Sequence, residues 1–376
     1  MSDNKLNTDI LIPVDLLPKD GRFGSGPSKV RKEAVEALLT RAEDFLGTSH
    51  RQKTVKSVVG SLRANLATLF SLPDGYQVIL GNGGATYFWD TAVFSLIEKK
   101  SQHLSFGEFS SKFAASAKAA PFIDDPMVIV SEPGTHPMAV CDESVDLYGL
   151  THNETSTGVA MKIERPKGAH GLVAVDATSA AGGMKVDASE FDCYYFAPQK
   201  AFSSDGGIWF ALMSPMALEK AKKITSSDRY VPPALDLGIA IDNSLLDQTY
   251  NTPSLATIYL MANQVEWMLS NGGMEFTSSR CNRSSSIVYN WAEASDFATP
   301  FVTDPAMRSS VVTTIDFTDD IDASKVAATL RANGILDTEP YRKLGRNQLR
   351  IATFPSIDPV DVEALVASID FVVKSL

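Results

Sequence analysis

Short, uninterrupted apolar runs that alternate with helical stretches are the feature that most constrains the fold of this 376-residue chain. An unbroken run such as GLVAV (171–175) is typical of a strand covered on both faces, because a half-exposed strand alternates apolar and polar residues. The predicted strands are 76–80, 102–106, 127–130, 146–150, 171–175, 193–197 and 207–213. Strands that alternate with helices predict an α/β fold with a mostly parallel sheet flanked by helices.

Helices are predicted from the 3.6-residue spacing of apolar side chains and from their capping residues. Before the first strand, one helix is capped by Ser28 and runs to about Leu46, and a second covers about 55–70. After Pro253 the pattern changes: the predicted elements are helices at 253–270 and 275–294, a strand at 310–317, a helix at 323–332, a strand at 349–354 and a last helix from about Pro359.

Asn271-Gly272-Gly273 separates the two long helices, and glycine is the residue that most often ends a helix. We therefore expect three parts in the chain. These are an N-terminal arm (1–20), a large domain (21–270) and a smaller α+β C-terminal domain (271–376).

The composition excludes several classes of partner. The chain carries a net charge of −11 and no run rich in lysine or arginine, so we expect no nucleic-acid and no membrane partner. No window approaches the ~18 apolar residues of a membrane span, and the acidic N-terminus is not typical of a secretory signal. Cys141, Cys193 and Cys281 are widely spaced and form no metal-binding or disulfide pattern. These features predict a cytoplasmic protein without a bound metal.

A glycine-rich turn, Gly81-Asn82-Gly83-Gly84-Ala85-Thr86, joins a predicted strand to a predicted helix. Glycines let backbone N–H groups approach an anion, the start of a helix adds its dipole, and Thr86 can add a hydroxyl donor. The turn is not G-x-G-x-x-G, because Thr86 replaces the third glycine, and no Gly-Lys-Ser/Thr follows as in a P-loop. It predicts a phosphate site, although a connection without a ligand fits this segment equally well.

Asp176 and Lys200 stand at the ends of successive predicted strands, Asp176 after GLVAV and Lys200 after CYYFA. Ligands of a parallel sheet bind at this edge, where a carboxylate can pair with a protonated ring nitrogen. Desolvation lowers the pKa of a lysine and suits it to Schiff-base chemistry. Taken alone, Asp176 also fits a helix cap or turn, and Lys200 fits a lysine whose stem lies along a loop.

Cations occur in two loops of this acidic chain, where arginine forks match carboxylates and phosphates. They are His50 and Arg51 in GTSHRQK and Arg342, Lys343, Arg346 and Arg350 in YRKLGRNQLR. A solvated basic loop is the alternative, and we prefer it for Lys343.

The order of these features carries more information than any one of them. Pyridoxal 5'-phosphate (PLP) needs a phosphate anchor, an acid for its pyridine nitrogen and a lysine for its aldehyde. The chain supplies the glycine-rich turn, Asp176 and Lys200 in that order. The sequence therefore predicts a PLP enzyme that carries its cofactor as a Schiff base on Lys200.

Over nearly its whole length the chain resembles the class V PLP-dependent aminotransferases. The matching segments are Phe23-Gly24-Ser25-Gly26-Pro27, Ser49-His50-Arg51, Gly83-Gly84-Ala85-Thr86, Gly107-Glu108-Phe109, Asn153-Glu154-Thr155, Asp176, Gln199-Lys200, Tyr250-Asn251-Thr252-Pro253 and Arg350. The HNET (152–155) and YNTPS (250–254) segments are similar to the phosphoserine branch of the family. The resemblance implies the type I fold of PLP-dependent transferases and a homodimer whose active sites are shared across the interface.

The resemblance also implies the cofactor contacts. Ala85 and Thr86 would hold the cofactor phosphate, and Phe109 would stack on the pyridine ring, where better-known members have a tryptophan. Thr155 and Gln199 would contact the cofactor, Asp176 would pair with the ring nitrogen, and Lys200 would form the Schiff base. Asn251 and Thr252 would reach the cofactor phosphate of the neighbouring subunit.

For the substrate, the resemblance implies that Arg350 binds the α-carboxylate. His50 and Arg51 would bind the distal phosphate or the side-chain carboxylate. Better-known members have a His-Arg pair shortly before the residue that matches Arg350, and this chain lacks that histidine. Arg342 and Arg346 are both candidates for the missing phosphate contact.

These roles imply reversible amino transfer between glutamate and 3-phosphohydroxypyruvate, which gives O-phospho-L-serine and 2-oxoglutarate in serine biosynthesis. A longer phosphorylated oxo acid of pyridoxine biosynthesis is a second expected substrate. An alanine- or serine–glyoxylate aminotransferase is the alternative, although it would not need the second set of cations. A cysteine desulfurase is disfavoured because no cysteine lies in the 296–348 loops, and a dehydrogenase because the turn lacks its third glycine.

Overall fold

Strands and helices alternate along the described part of the chain, residues 10–376 of a computed structural model. In chain order the strands are β1 (Gln77–Asn82), β2 (Ser101–Ser105), β3 (Met127–Val130), β4 (Leu147–Thr151), β5 (Asn153–Glu154), β6 (Val159–Ala160), β7 (Leu172–Asp176), β8 (Cys193–Phe196), β9 (Ile208–Met213), β10 (Ala298–Pro300), β11 (Val312–Phe317) and β12 (Gln348–Ala352). The helices are α1 (Lys32–Leu39), α2 (Lys53–Leu69), α3 (Ala85–Ser95), α4 (Glu108–Ala119), α5 (Pro215–Thr225), α6 (Leu237–Ser244), α7 (Leu255–Ser270), α8 (Gly273–Ala294), α9 (Ala323–Ala332) and α10 (Pro359–Ser375).

The central sheet has seven strands in the order β1-β9-β8-β7-β4-β2-β3. The pairs from β8 to β3 are parallel, whereas β9 runs antiparallel to both β1 and β8. Every residue of β4, β7, β8 and β9 is buried, which explains their unbroken apolar sequences. The predicted α/β fold with a mostly parallel sheet is confirmed.

Helices cover both faces of this sheet. On one face α2 and α7 pack through side chains such as Leu62, Leu66 and Val265. On the other face α3, α4, α5 and α6 pack through side chains such as Phe88 and Phe113. Because β7 and β8 are neighbours in parallel register, with Asp176 paired to Tyr195, their carboxyl ends meet at one edge between the two helical layers.

The C-terminal part forms a smaller antiparallel sheet in the order β10-β11-β12, against which α8, α9 and α10 pack. The apolar cluster of this part also contains Ile12 and Phe23 from the start of the chain. The backbone N–H of Ala352 donates to the carbonyl of Phe23 at 3.0 Å, and the N–H of Leu336 donates to the carbonyl of Gly21 at 2.7 Å. The division of the chain at residues 20 and 270 stays a prediction, and residues 1–9 of the arm lie outside the described residues.

The predicted limits of the first helix are wrong. Helix α1 covers only Lys32–Leu39 and is preceded by Arg31, and residues 40–46 form turns. Ser28 does not cap it, because its hydroxyl donates to the backbone carbonyl of Lys200 at 2.6 Å. The extended segment before α1 therefore lies against the lysine at the end of β8.

Among residues 10–376 no helix has the length and apolar character that a membrane crossing requires. Nor do these residues include a cluster of three or more His, Cys, Asp or Glu side chains placed to hold a metal ion. The three cysteines are free thiols, and Cys193 and Cys281 are buried. Burial raises the pKa of the Cys281 thiol inside α8, which is unfavourable for a nucleophile.

Candidate active site

A cavity of about 410 Å³ opens at the sheet edge where β7 and β8 end. Segments far apart in the sequence line it: Gly26, Pro27, Gly84, Ala85, Thr86, Trp89, Phe109, Asn153, Thr155, Asp176, Thr178, Gln199, Lys200 and Gly206. The predicted residues Ala85, Thr86, Phe109, Thr155, Asp176, Gln199 and Lys200 are thus brought together. The volume is within the usual range for a small-molecule site.

Lys200 lies at the end of β8 with only 8% of its surface exposed. Its Nζ donates to the backbone carbonyl of Ser25, in the segment that precedes α1. Gly26 has a φ of +133°, and a Cβ there would lie 2.2 Å from Nζ of Lys200. Only glycine therefore allows this segment to cover the lysine so closely.

The protonation of Lys200 follows from this burial. The pKa of Lys200 is lowered to about 7: desolvation is the main cause, the positive charge of Arg350 acts in the same direction, and the charges of Asp176 and Glu154 oppose both. A substantial fraction of the amine is therefore neutral near pH 7. The neutral amine is the form that can attack a carbonyl or accept a proton.

Asp176 is held in place by two hydrogen bonds. Its Oδ2 accepts from the indole Nε1 of Trp89 at 3.0 Å, and its Oδ1 accepts from the backbone N–H of Thr178, also at 3.0 Å. A carboxylate can accept up to about four hydrogen bonds, so Asp176 keeps capacity for a donor in the cavity. Our sequence reasoning missed Trp89, although it follows Ala85 by four positions and so shares its face of α3.

The glycine-rich turn places the N-terminus of α3 at the cavity. Gly83 has a φ of +113°, its N–H donates to the carbonyl of Gly207 at 2.9 Å, and Gly84 precedes the first helical residue. No side chain among residues 10–376 caps this helix, and a Cβ on Gly84 would meet only open space. The N–H groups and dipole of a helix N-terminus favour an anion, so this end of the cavity is suited to a phosphate.

Glu154 fixes the position of Phe109. The fully buried carboxylate of Glu154 accepts from the backbone N–H of Phe109 at 3.1 Å, from that of Ser110 at 2.8 Å and from the hydroxyl of Ser156 at 2.7 Å. It thereby caps the start of α4, where Phe109 faces the cavity. A Cβ on Gly107 would lie 2.3 Å from Cγ of Glu154, which explains the glycine before this helix.

Several buried polar atoms around the cavity have no partner among the described residues. Thr155 and Asn153 donate to the hydroxyl of Ser179 at 2.8 and 2.9 Å. In contrast, Oδ1 of Asn153, Oγ1 of Thr178 and Oε1 of Gln199 are unpaired. Buried polar groups without partners are costly, so their presence here indicates a site built for a polar ligand.

Arg350, on β12, lies beside this cavity. Its Nη1 donates to the backbone carbonyl of Thr155 at 3.2 Å, and its Nε has no partner among residues 10–376. Within the same residues no carboxylate forms an ion pair with it. Burial lowers the pKa of Arg350, and the positive charge of Arg350 in turn lowers the pKa of Lys200. A desolvated guanidinium without a protein anion is well suited to bind an anionic substrate group.

The two candidate arginines before Arg350 differ in their surroundings. Arg346 pairs with Asp316, with Nε and Oδ2 3.0 Å apart, and lies over the ring of Phe301 at 4.5 Å. Arg342 is exposed in a short 3-10 turn, Arg342–Leu344, and forms no ion pair with any described residue. Of these two arginines, only Arg342 therefore has a guanidinium group that is free to bind an anion. Lys343, which we expected to be solvated, lies 2.5 Å from Oε1 of Glu108 although its own side chain is largely exposed.

His50, Arg51, Asn251 and Thr252 do not line this cavity. His50 is buried close to the backbone of Thr249, and this burial, together with the charge of Arg51, lowers the pKa of its imidazole. Asn251 lines a neighbouring cavity of about 370 Å³, and the amide of Asn82 donates to the carbonyl of Thr252 at 3.1 Å. These four residues are therefore not part of the group that lines the cavity around Lys200.

Comparison with known families identifies the scaffold. The family model described as aminotransferase class V matches residues 23–337. A phosphoserine aminotransferase of Rhodococcus jostii (strain RHA1) is 61% identical over 367 residues, which are 97% of this chain and 98% of that protein. One from Nocardioides sp. (strain ATCC BAA-499 / JS614) is 59% identical over 373 residues, 98% of this chain and all of that protein.

Solved structures with low identity share the fold. A phosphoserine aminotransferase of Cytophaga hutchinsonii superposes with a TM-score of 0.85 at 24% identity and covers 93% of this chain and 99% of its own. The corresponding enzyme of Bacillus circulans subsp. alkalophilus gives a TM-score of 0.84 at 22% identity and covers 95% and 99%. The expected transferase fold is confirmed.

The chain belongs to the class V aminotransferase family, and it is a PLP-dependent enzyme. The cavity fits this cofactor at three points. The N-terminus of α3 suits its phosphate, Asp176 retains acceptor capacity for a ring N–H, and a substantial fraction of the buried Lys200 amine is neutral near pH 7.

The lowered pKa of Lys200 predicts how fast the apoprotein captures PLP at different pH values. Because only the neutral amine reacts, the rate followed by visible absorbance should rise with pH and level off above about 7. Arg350→Gln removes the neighbouring positive charge, which makes protonation of Lys200 easier and should move the midpoint to higher pH. Arg346→Gln is the control, because Asp316 already pairs with that charge. A wild-type midpoint near the ordinary lysine value of 10.5 would contradict the prediction.

Proposed function

We propose that the chain catalyses reversible amino transfer between glutamate and 3-phosphohydroxypyruvate, with O-phospho-L-serine and 2-oxoglutarate as the other pair. The observation that carries this proposal is the combination of a buried lysine of lowered pKa with a desolvated arginine that lacks a protein anion. Relatives about 60% identical over nearly the full length bear the name phosphoserine aminotransferase. We place this activity in the cytoplasm.

The residues that would hold PLP follow from the cavity. Ala85 and Thr86, at the N-terminus of α3, would bind the phosphate, Phe109 would cover one face of the ring, and Asp176 would pair with the ring nitrogen. Thr155 and Gln199 supply polar atoms at the cavity wall. When bound, the cofactor supplies an electron sink for the charge left on the substrate Cα.

Lys200 would move the proton. The Nζ of Lys200 would accept the proton from the substrate Cα as a general base. Its lowered pKa provides the neutral amine near pH 7, and the carbonyl of Ser25 orients it by accepting a hydrogen bond. Burial under residues 25–27 also limits the access of water to this amine.

Both amino-acid substrates carry an α-carboxylate and a distal anion, so one set of cations can serve both. Arg350 would bind the α-carboxylate, because its Nε is free and its charge lies close to Lys200. Arg342 would bind the distal phosphate, since Arg346 is held by Asp316 and Phe301. The charge-assisted fork of an arginine fits both kinds of anion.

We further propose a homodimer whose active sites are shared. None of His50, Arg51, Asn251 and Thr252 lines the chain's own cavity: His50 is buried close to the backbone of Thr249, and Asn251 lines the neighbouring cavity. Tyr250, next to Asn251 in the sequence, is 51% exposed and lines the same neighbouring cavity, so its ring is accessible to a partner subunit. In a two-fold dimer this group would complete the partner's cavity.

A transamination assay tests the reaction. The purified holoenzyme should convert phosphoserine and 2-oxoglutarate to glutamate, and alanine or unphosphorylated serine should react at least ~100-fold less efficiently because they leave the distal cation unpaired. The longer phosphorylated oxo acid is tested in the reverse direction, as the amino acceptor with glutamate as the amino donor. Lys200→Ala should lose both the visible absorbance and the turnover. Equal efficiency with alanine would favour a glyoxylate-type aminotransferase instead.

The surroundings of the two arginines predict different effects on substrate binding. Arg342→Ala should raise the half-saturating concentration of phosphoserine ~10- to 100-fold, the usual range for a lost charge-assisted hydrogen bond. Arg346→Ala breaks only a partly exposed ion pair and should change it less than ~3-fold. Titrating each holoenzyme with phosphoserine while its absorbance is followed measures both. The opposite order of effects would assign the phosphate to Arg346.

Mixed dimers test whether active sites are shared. Lys200→Ala and the double variant Asn251→Ala/Thr252→Ala should each be inactive alone, but a heterodimer contains one cavity with an intact Lys200 and intact partner residues. An equimolar mixture that is dissociated and reassociated should regain about a quarter of the wild-type activity. Sedimentation of the mixture confirms that dimers re-form. No recovery in re-formed dimers would mean that Asn251 and Thr252 serve their own chain.

A further inference from the structure

Tyr341 lies between the proposed substrate arginine and the proposed cofactor-stacking residue. The guanidinium carbon of Arg350 is 5.3 Å from the centroid of the Tyr341 ring and lies over its face. The same ring is 6.0 Å from the ring of Phe109, at an angle of 57°. One aromatic side chain thus lies next to both the proposed substrate arginine and the proposed cofactor-stacking residue.

The backbone around Tyr341 is fixed from several directions. The N–H of Arg350 donates to the carbonyl of Thr338 at 3.0 Å, and the N–H of Leu344 donates to the carbonyl of Tyr341, also at 3.0 Å. Lys343 and Arg346 tie the segment to Glu108 and Asp316. The position of the ring is therefore set by the chain on both sides of it.

Arg350 needs such a neighbour because its other contacts are few. Among the described residues its guanidinium makes one hydrogen bond, to the carbonyl of Thr155, and the long side chain would otherwise be free to change its rotamer. A carboxylate partner would hold it but would also compete with the substrate for the same N–H groups. An aromatic face stabilises the cation through its quadrupole and leaves the N–H edge of the guanidinium unoccupied.

We propose that Tyr341 is a positioning residue that holds the guanidinium of Arg350 by a cation–π contact, with its free N–H edge directed to the substrate α-carboxylate. This role rests on the proposed function, since it assumes that Arg350 binds that carboxylate. It concerns the ring and not the hydroxyl, because the phenolic oxygen makes no hydrogen bond with any described residue. The α-carboxylate is common to all amino-acid substrates, so Tyr341 acts on each of them equally.

Replacing the ring tests the proposal. Tyr341→Leu keeps an apolar side chain but removes the π face, and it should raise the half-saturating concentrations of glutamate and of phosphoserine by the same ~3- to 30-fold factor. The rate of the half-reaction at saturation should stay within about 2-fold, because Lys200 is untouched. Tyr341→Phe keeps the face and should behave as the wild type. Thermal stabilisation of each holoenzyme by 2-oxoglutarate reports binding without turnover and should fall only in Tyr341→Leu.

Two comparisons decide the outcome. Tyr230→Leu, at a tyrosine that is 77% exposed, is the matched control and should change neither substrate. Unchanged glutamate binding in Tyr341→Leu, or a loss in Tyr341→Phe as large as in Tyr341→Leu, would overturn the role of the ring. A wild-type enzyme that accepts glutamate but not phosphoserine would instead refute the proposed function and would leave the glutamate arm of this test intact.

Discussion

The burial of one amine against one carbonyl is the constraint on which the rest of the site depends. Lys200 lies at the end of β8 and donates to the carbonyl of Ser25, and the loss of hydration lowers its pKa to about 7. Gly26 permits this close cover, since its φ of +133° strains any other residue and a Cβ there would displace the amine from its position. The burial also requires that nearby charges balance, with Arg350 acting against protonation and Asp176 and Glu154 acting for it. A lysine in the same place without this cover would be an ordinary surface cation.

Much of the fold could be predicted because its determinants are local. The unbroken apolar strands follow from burial on both faces, and Asp176 and Lys200 were placed together because adjacent parallel strands end at one edge. The predicted start of the first helix was wrong because Ser28 is a residue type that often caps helices. Its hydroxyl instead forms a long-range hydrogen bond to the backbone of Lys200, which no pattern in the sequence indicates. No role was predicted for Trp89, Glu154 and Tyr341 for a related reason. Each acts by holding another site residue, and such contacts appear only once distant segments are packed.

Some of the predicted site residues are brought together within one chain, and others are not. The residues around Lys200 converge on a single cavity, and the choice between Arg342 and Arg346, which the sequence left open, depends on the acidic neighbour of Arg346. None of His50, Arg51, Asn251 and Thr252 lines that cavity. The positively charged side chains fall into two similar groups. Cations that are paired within the chain, such as Arg346, maintain its shape, and those left unpaired, such as Arg350, are available to anions.

The hydrogen bonds between Phe23 and Ala352 and between Gly21 and Leu336 have a consequence for the order in which the protein can mature. The segment that covers Lys200 is anchored by residues close to the other end of the chain, and Phe23 packs in the cluster formed by β11 and β12. During synthesis β7 and β8 can pair long before β12 leaves the ribosome. The amine of Lys200 would remain hydrated, and predominantly protonated, through that interval. Competence to capture the cofactor is therefore one of the last properties that the nascent chain acquires.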